Sequence, residues 1–365
     1  MRFFRGCSLL LTALSVTLSS ARAQSATPAR IPVKVVVLTM FEIGKDTGDM
    51  PGEFQHWAEG EHLTRRYTMP AAYHDALMND DGILGMVTGV GTARAAATVM
   101  ALGTDPRFDL SHAYWVIAGI GGIDPKVGSL GSAVWSDWIV DGDIAHEIDP
   151  REMPKDWPTG YVPLRKSVPY EQPRTDENGI VFRLNQGLVD WAYGLTQNIK
   201  LTDTPEIRER RQAFAGDAAK RPPFVLRGDN LSAGTFWHGK LLNAWARDWV
   251  KYQTGGQGTY AICGMEDTGT LQSLTWLGRA GLVDSNRVLV LRTASNYDQQ
   301  REGISAAESL AETKITKYSA FLPSLDSAYR VGDVVVRSLL TNWPVYRDTL
   351  PGAALPSASR APNVP

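Results

Sequence analysis

Four short apolar runs constrain this chain more than any other feature: Ile31-Pro-Val-Lys-Val-Val-Val-Leu-Thr-Met40, Gly82-Ile-Leu-Gly-Met-Val-Thr-Gly89, Tyr114-Trp-Val-Ile-Ala118 and Val288-Leu-Val-Leu291. They are rich in β-branched residues and carry few polar interruptions, the pattern of strands covered on both faces. Such strands belong inside an α/β sheet, with helices alternating between them in sequence. The intervals supply those helices. Gly89-Val-Gly91 breaks the second run before the Ala-rich segment Thr92–Leu102, a good helix former. Leu241, Leu242, Trp245 and Trp249 fall at helical spacing over Gly239–Tyr252, as core residues rather than as a cofactor box. A further helix is predicted after Glu266, through Leu274, Trp276 and Leu277 to a stop at Gly281. Ser132–Trp135 with Trp138–Val140 predicts another strand, and Gly119-Ile-Gly-Gly122 a glycine turn closing the third run.

Residues 1–23 read as a secretory signal peptide, with Arg2 and Arg5, an apolar stretch Leu9–Leu18, and Ala21-Arg-Ala23 as the cleavage site. That predicts a secreted or periplasmic protein. Residues 24–350 are expected to form a single α/β domain, and the Pro-, Ala- and Ser-rich tail 351–365 to be disordered. Between about 149 and 227 the prolines at 150, 154, 158, 163, 169 and 173 mark a long insertion, with helices predicted near Val181–Leu195 and Pro205–Phe214. Of the two cysteines, Cys7 lies in the signal, so Cys263 is left without an internal disulfide partner. With 37 basic and 39 acidic residues and no basic run, nucleic acid is a poor partner. No later stretch reaches about 18 consecutive apolar residues, so the mature chain is not expected to span a membrane.

The chemistry concentrates around Cys263-Gly-Met-Glu-Asp-Thr-Gly269 and Arg292-Thr-Ala-Ser-Asn-Tyr-Asp298, at the strand ends where open α/β sheets bind ligands. Glu266, at a strand-to-helix junction, suits two readings: acceptor for the vicinal hydroxyls of a sugar, or favourable charge at a helix N-terminus. Asn296 and Asp298 likewise suit a purine edge or a turn-forming Asx pair. Gly89-Val-Gly91 lacks the third glycine of a dinucleotide fingerprint and Gly119-Ile-Gly-Gly122 opens no helix, so no cofactor is expected. The six histidines show no zinc spacing, so no metal is expected either, and His146 and His238 read as orienting or core residues.

The order of motifs resembles the purine nucleoside permease family and, through it, the nucleoside phosphorylase and nucleosidase superfamily. The matching segments are Gly89-Val-Gly-Thr-Ala-Arg-Ala-Ala96, Ala118-Gly-Ile-Gly-Gly-Ile-Asp-Pro-Lys-Val-Gly128, Gly228-Asp-Asn-Leu-Ser-Ala233, Met265-Glu266 and Arg292-Thr-Ala-Ser-Asn296, within a resemblance running from Val33 to Tyr346. The resemblance implies a three-layer αβα sandwich with a mixed central sheet, and a purine nucleoside as ligand. It implies that Glu266 holds the ribose hydroxyls, that Met265 packs on the sugar, and that Gly119 and Gly121 line the site. Asn296 would face the base, with Asp298 supplying acidity. Leu231 stands at the base wall, with Phe236 or Trp237 as substitutes, and His146 lies near the pocket.

Phosphorylases of the superfamily hold phosphate at positions occupied here by Ile117 and Ile120, which carry no charge. Phosphate stays open as a co-substrate, with Arg94 its candidate ligand, but hydrolysis is the expected reaction. Glu53 then matches the water-activating carboxylate, with Glu42 as competitor. The alternative function is a non-catalytic nucleoside-binding component of transport. Relatives assemble as oligomers, and a homo-oligomer is an open expectation.

Overall fold

The computed structural model describes residues 29–174, 179–312 and 320–352. In it the four apolar runs become adjacent parallel strands: β1 (Val35–Thr39), β2 (Ile83–Val87), the long β3 (Tyr114–Ile123) and a second long strand further along the chain. The other elements that build the site are the helix α1 (Thr92–Gly103), the strands β4 (Trp138–Asp141) and β5 (Asp229–Ser232), α2 (Lys240–Gln253), β6 (Tyr260–Gly264) and α3 (Asp267–Arg279). They are completed by β7 (Val288–Tyr297), α4 (Ala306–Ala311) and α5 (Phe321–Thr341).

The central strands run in the order β2-β1-β3-β7, all parallel, and every residue of β1, β2 and β7 is buried. Antiparallel β6 joins the far end of β3 and continues the sheet through β5 to β4. Further short strands extend it to a mixed sheet of twelve strands among the described residues. Helix α5 packs across β7 and β3, while α1 packs along α3. The result is the expected αβα sandwich. Trp245 and Trp249 are buried on α2 as predicted, whereas Leu241 points to solvent and Trp276 is half exposed.

Three expectations are corrected. The helix predicted from Val181 begins at Gln186, capped by the Asn185 side chain, because Val181–Arg183 pair as an edge strand with β4. Gly119-Ile-Gly-Gly122 is no turn, since β3 runs straight through it to Ile123. Arg292–Tyr297 is not past a strand end either: β7 continues through it, with a register irregularity between Ala294 and Asn296. The glycines are needed for close approach. A Cβ at Gly121 would collide with the backbone carbonyl of Cys263 on β6, and one at Gly119 would stand 2.6 Å from Met40 Sδ and 2.9 Å from Glu53 Oε1. Gly121→Ala is accordingly expected to destabilise the fold by about 1–3 kcal/mol or more, because backbone rather than a flexible side chain must move. Chemical denaturation of the variant measures this. The signal segment and residues 353–365 lie outside the described residues.

Candidate active site

The site begins at a fork in the sheet. β1 accompanies β3 only from Tyr114 to Ile117, and β6 takes over on that side only at Gly122 and Ile123. Between them the β3 backbone has no ladder partner on that side, and a buried N–H there must find another acceptor. Glu53 provides it: Ile120 N donates to Glu53 Oε1 at 2.7 Å, while Met40 N donates to Oε2 at 2.7 Å. The fork opens into a cleft of about 550 Å³ lined by Glu53, Ile120, Gly121, Met265, Glu266, Arg292 and Asn296, with apolar walls from Met40, Phe236, Trp237 and Phe321 among others.

Glu42 plays a different part. Its carboxylate accepts the backbone N–H groups of Ile43, Phe54, Gln55 and Gly52, and so folds the loop that presents Glu53. Of the two competing carboxylates, only Glu53 lines the cleft.

Glu266 immediately precedes α3 but makes no side-chain cap of its own helix. Its carboxylate turns away instead, accepting from Gly91 N at 3.0 Å and from Arg292 Nη2 at 2.9 Å. Arg292 also donates to Asp267 Oδ1 at 2.9 Å and to the Ile120 carbonyl at 3.0 Å. This fully buried guanidinium carries two carboxylates at once and stands near a third, Glu53. Among the described residues it is the one Lys or Arg side chain lining the cleft.

At the other end of the cleft Asn296 accepts from Ser295 Oγ at 2.9 Å, and its amide donates to the Tyr297 carbonyl at 2.9 Å. Asp298 does not line the cleft. It lies in the layer behind, accepting from Tyr260 Oη at 2.5 Å and Asn243 Nδ2 at 2.9 Å. Two residues apart, both approach Gly122, where a Cβ would meet Asn296 Nδ2 at 3.0 Å and Asp298 Cβ at 3.2 Å.

The structure thus gathers Glu53, Gly121, Phe236, Trp237, Met265, Glu266 and Asn296 in one cleft, with Gly119 in the layer beside Glu53. Besides Asp298, three expected residues fall elsewhere. Leu231 is wholly buried in the cluster around Trp245 and Trp249, because β5 turns that face to the core. Arg94 is exposed on α1 and bonds the Val90 carbonyl. His146 is exposed on a two-stranded ribbon, paired with Val162. Arg292 is the functional residue that the motif pattern leaves without a role. An arginine that directly follows a continuous apolar run is the signal for it, since a charge buried there needs carboxylate partners.

Burial raises the Glu53 carboxyl from its ordinary 4.5 to about 8, with Arg292 opposing and Glu266 reinforcing the shift. Burial, reinforced by Asp124, raises Asp298 from 3.8 to about 7. Between these values the folded chain binds more protons than the unfolded one. The stability that the neutral carboxyls contribute is therefore complete below pH 4 and is lost as pH rises through about 7 and then about 8. The thermal midpoint is expected to be higher at pH 6 than at pH 9, and Glu53→Gln to flatten that fall; calorimetry across the range checks both.

This architecture is the nucleoside phosphorylase-like fold. Futalosine hydrolase of Helicobacter pylori strain 26695 is similar in structure, with a TM-score of 0.51 at 12% identity over 84% of this chain and 98% of that one. Residues 32–351 match the purine nucleoside permease family, to which the chain belongs. It is 28% identical over 270 residues to a probable purine nucleoside permease of Schizosaccharomyces pombe, covering 72% of this chain and 76% of the relative. It is 26% identical over 318 residues to the purine nucleoside permease of Candida albicans, covering 85% and 75%. No described helix is long and apolar enough to cross a membrane.

Proposed function

We propose that this protein binds purine nucleosides in the cleft at the sheet fork and hydrolyses their N-glycosidic bond. The observation that carries this reading is the pair of buried carboxylates, Glu53 and Glu266, set on either side of Arg292 in one cleft. Glu266 accepts hydrogen bonds from the 2′ and 3′ hydroxyls, and Met265 packs on the sugar. Asn296 offers its amide to the base, between walls supplied by Phe236 and Trp237. Glu53 takes a proton from water as the water oxygen bonds to C1′. The C1′–N9 bond breaks with its electron pair going to the base, and the proton held by Glu53 balances the one the base finally acquires. The sugar's developing positive charge faces two carboxylates, a fixed arrangement that favours the transition state over the ground state.

Hydrolysis is preferred to phosphorolysis on electrostatic grounds. The lining cation is already committed to Glu266 and Asp267, and the backbone N–H of Ile120 is committed to Glu53. A phosphate dianion would find no uncommitted cation and would face two carboxylates that already share one guanidinium. Incubating the chain with inosine, adenosine and guanosine, with and without phosphate, tests this through release of free base. Release without phosphate is the expected outcome, and release only with phosphate would overturn it. Because Glu53 must be ionised to accept a proton and its pKa is about 8, the rate is expected to rise about tenfold per pH unit below 8 and then level off. A flat profile between pH 6 and 8 would remove Glu53 from that role.

The names of the relatives support a second reading, in which the chain serves nucleoside uptake as a non-catalytic binding component. With no described helix able to cross a membrane, such a role would need a separate membrane protein. Nucleoside binding without base release would favour it. On either reading a leader at residues 1–23 would direct the protein to the periplasm or outside the cell.

A further inference from the structure

Two polar side chains outside the reacting group tie the walls of the cleft together. His238 Nε2 stands 3.0 Å from Ser309 Oγ on α4. Each has cleft-lining neighbours in sequence: Phe236 and Trp237 precede His238, and Leu310 follows Ser309. Phe236 is 49% exposed, so no core packed around it fixes its ring. Ser309, by contrast, is buried.

The direction of the hydrogen bond follows from the rest of the ring. His238 Nδ1 is buried and meets no hydrogen-bond partner among the described residues. A proton on that nitrogen would be an unsatisfied buried donor, which costs more than an unused lone pair. The assignment is therefore Nε2–H donating to Ser309 Oγ, with the ring neutral. Burial and the nearby Arg210 hold the imidazole pKa below its usual value, in keeping with that form. The chain just beyond His238 is pinned as well: Gly239 N donates to the Asp298 carbonyl at 2.9 Å and Lys240 N to Gln300 Oε1 at 2.9 Å. Trp237 is itself buried against Trp245 and Tyr260, so the exposed part of the wall is Phe236, and the bond to Ser309 joins its segment to α4.

We propose that His238 and Ser309 form a latch that holds the Phe236 end of this wall against α4 and so retains a bound nucleoside in the cleft. This inference rests on the nucleoside reading above. Both are positioning residues, since neither lines the cleft.

Ser309→Ala removes the hydroxyl without weakening α4, because alanine is the better helix former. Inosine turnover by the full chain is the readout, or inosine affinity if it only binds. KM or Kd is expected to rise about fivefold, the worth of one ordinary hydrogen bond, with kcat within about twofold. His238→Ala is expected to match it, and the double variant to be no worse than either single one. His238→Gln, which still offers an N–H, is expected to recover most of the loss. A Ser309→Ala protein with unchanged KM or Kd, or single effects that multiply in the double variant, would overturn the latch alone. A wild-type chain that neither binds nor cleaves inosine, adenosine or guanosine would overturn the nucleoside reading and this one with it.

Discussion

Glu53→Gln is expected to keep nucleoside binding within several-fold of wild type while base release falls by about 10²–10⁴, the usual worth of a positioned general base. Glutamine fills the same space beside Met40 and Ile120 but cannot take a proton from water. It also offers one acceptor where the carboxyl served two backbone N–H groups, at 2.7 Å each. A stability loss of about 1–3 kcal/mol from the orphaned N–H is therefore part of the expectation. Single-turnover base release measured beside equilibrium binding separates the two effects. A variant that binds and cleaves normally would show that Glu53 only supports the backbone at the fork.

Glu266→Gln is expected to act on binding instead. Hydrogen bonds from a ligand to a charged acceptor are worth about 1.5–3 kcal/mol, so losing the charge is expected to weaken nucleoside affinity about 10- to 150-fold. The fold is expected to survive, because Arg292 retains Asp267 as its buried partner. A 2′,3′-dideoxynucleoside makes the test specific. It should bind wild type weakly, and the Glu266→Gln substitution should weaken it little further, as two changes to one interaction do not add. If the substitution weakens nucleoside and dideoxynucleoside equally, Glu266 does not hold the hydroxyls.

Much of this frame was legible in the sequence, and for an identifiable reason. Strands buried on both faces have to be continuous apolar runs, so β1, β2, β3 and β7 announced themselves. Glu266 was legible because a carboxylate at a strand-to-helix junction has few structural uses. Local pattern failed where tertiary contact decided the outcome. Glycines usually mark turns, yet Gly119 and Gly121 sit within β3 because Glu53, Met40 and β6 come too close for a side chain. Asp298, two residues beyond Asn296, suggested a shared cleft, but its carboxyl is held in the layer behind by Tyr260 and Asn243. Leu231 alternates toward the core rather than the ligand. Arg292 could be assigned only once its three carboxylate neighbours were brought together from distant parts of the chain.

The most direct measurement is the fate of the water oxygen. Inosine turned over by the wild-type chain in phosphate-free H₂¹⁸O should yield free hypoxanthine and ribose carrying one ¹⁸O at C1, detected by mass spectrometry before the label exchanges. Unlabelled sugar, a sugar 1-phosphate formed only when phosphate is added, or no cleavage at all would contradict a hydrolytic site built on Glu53 and Glu266.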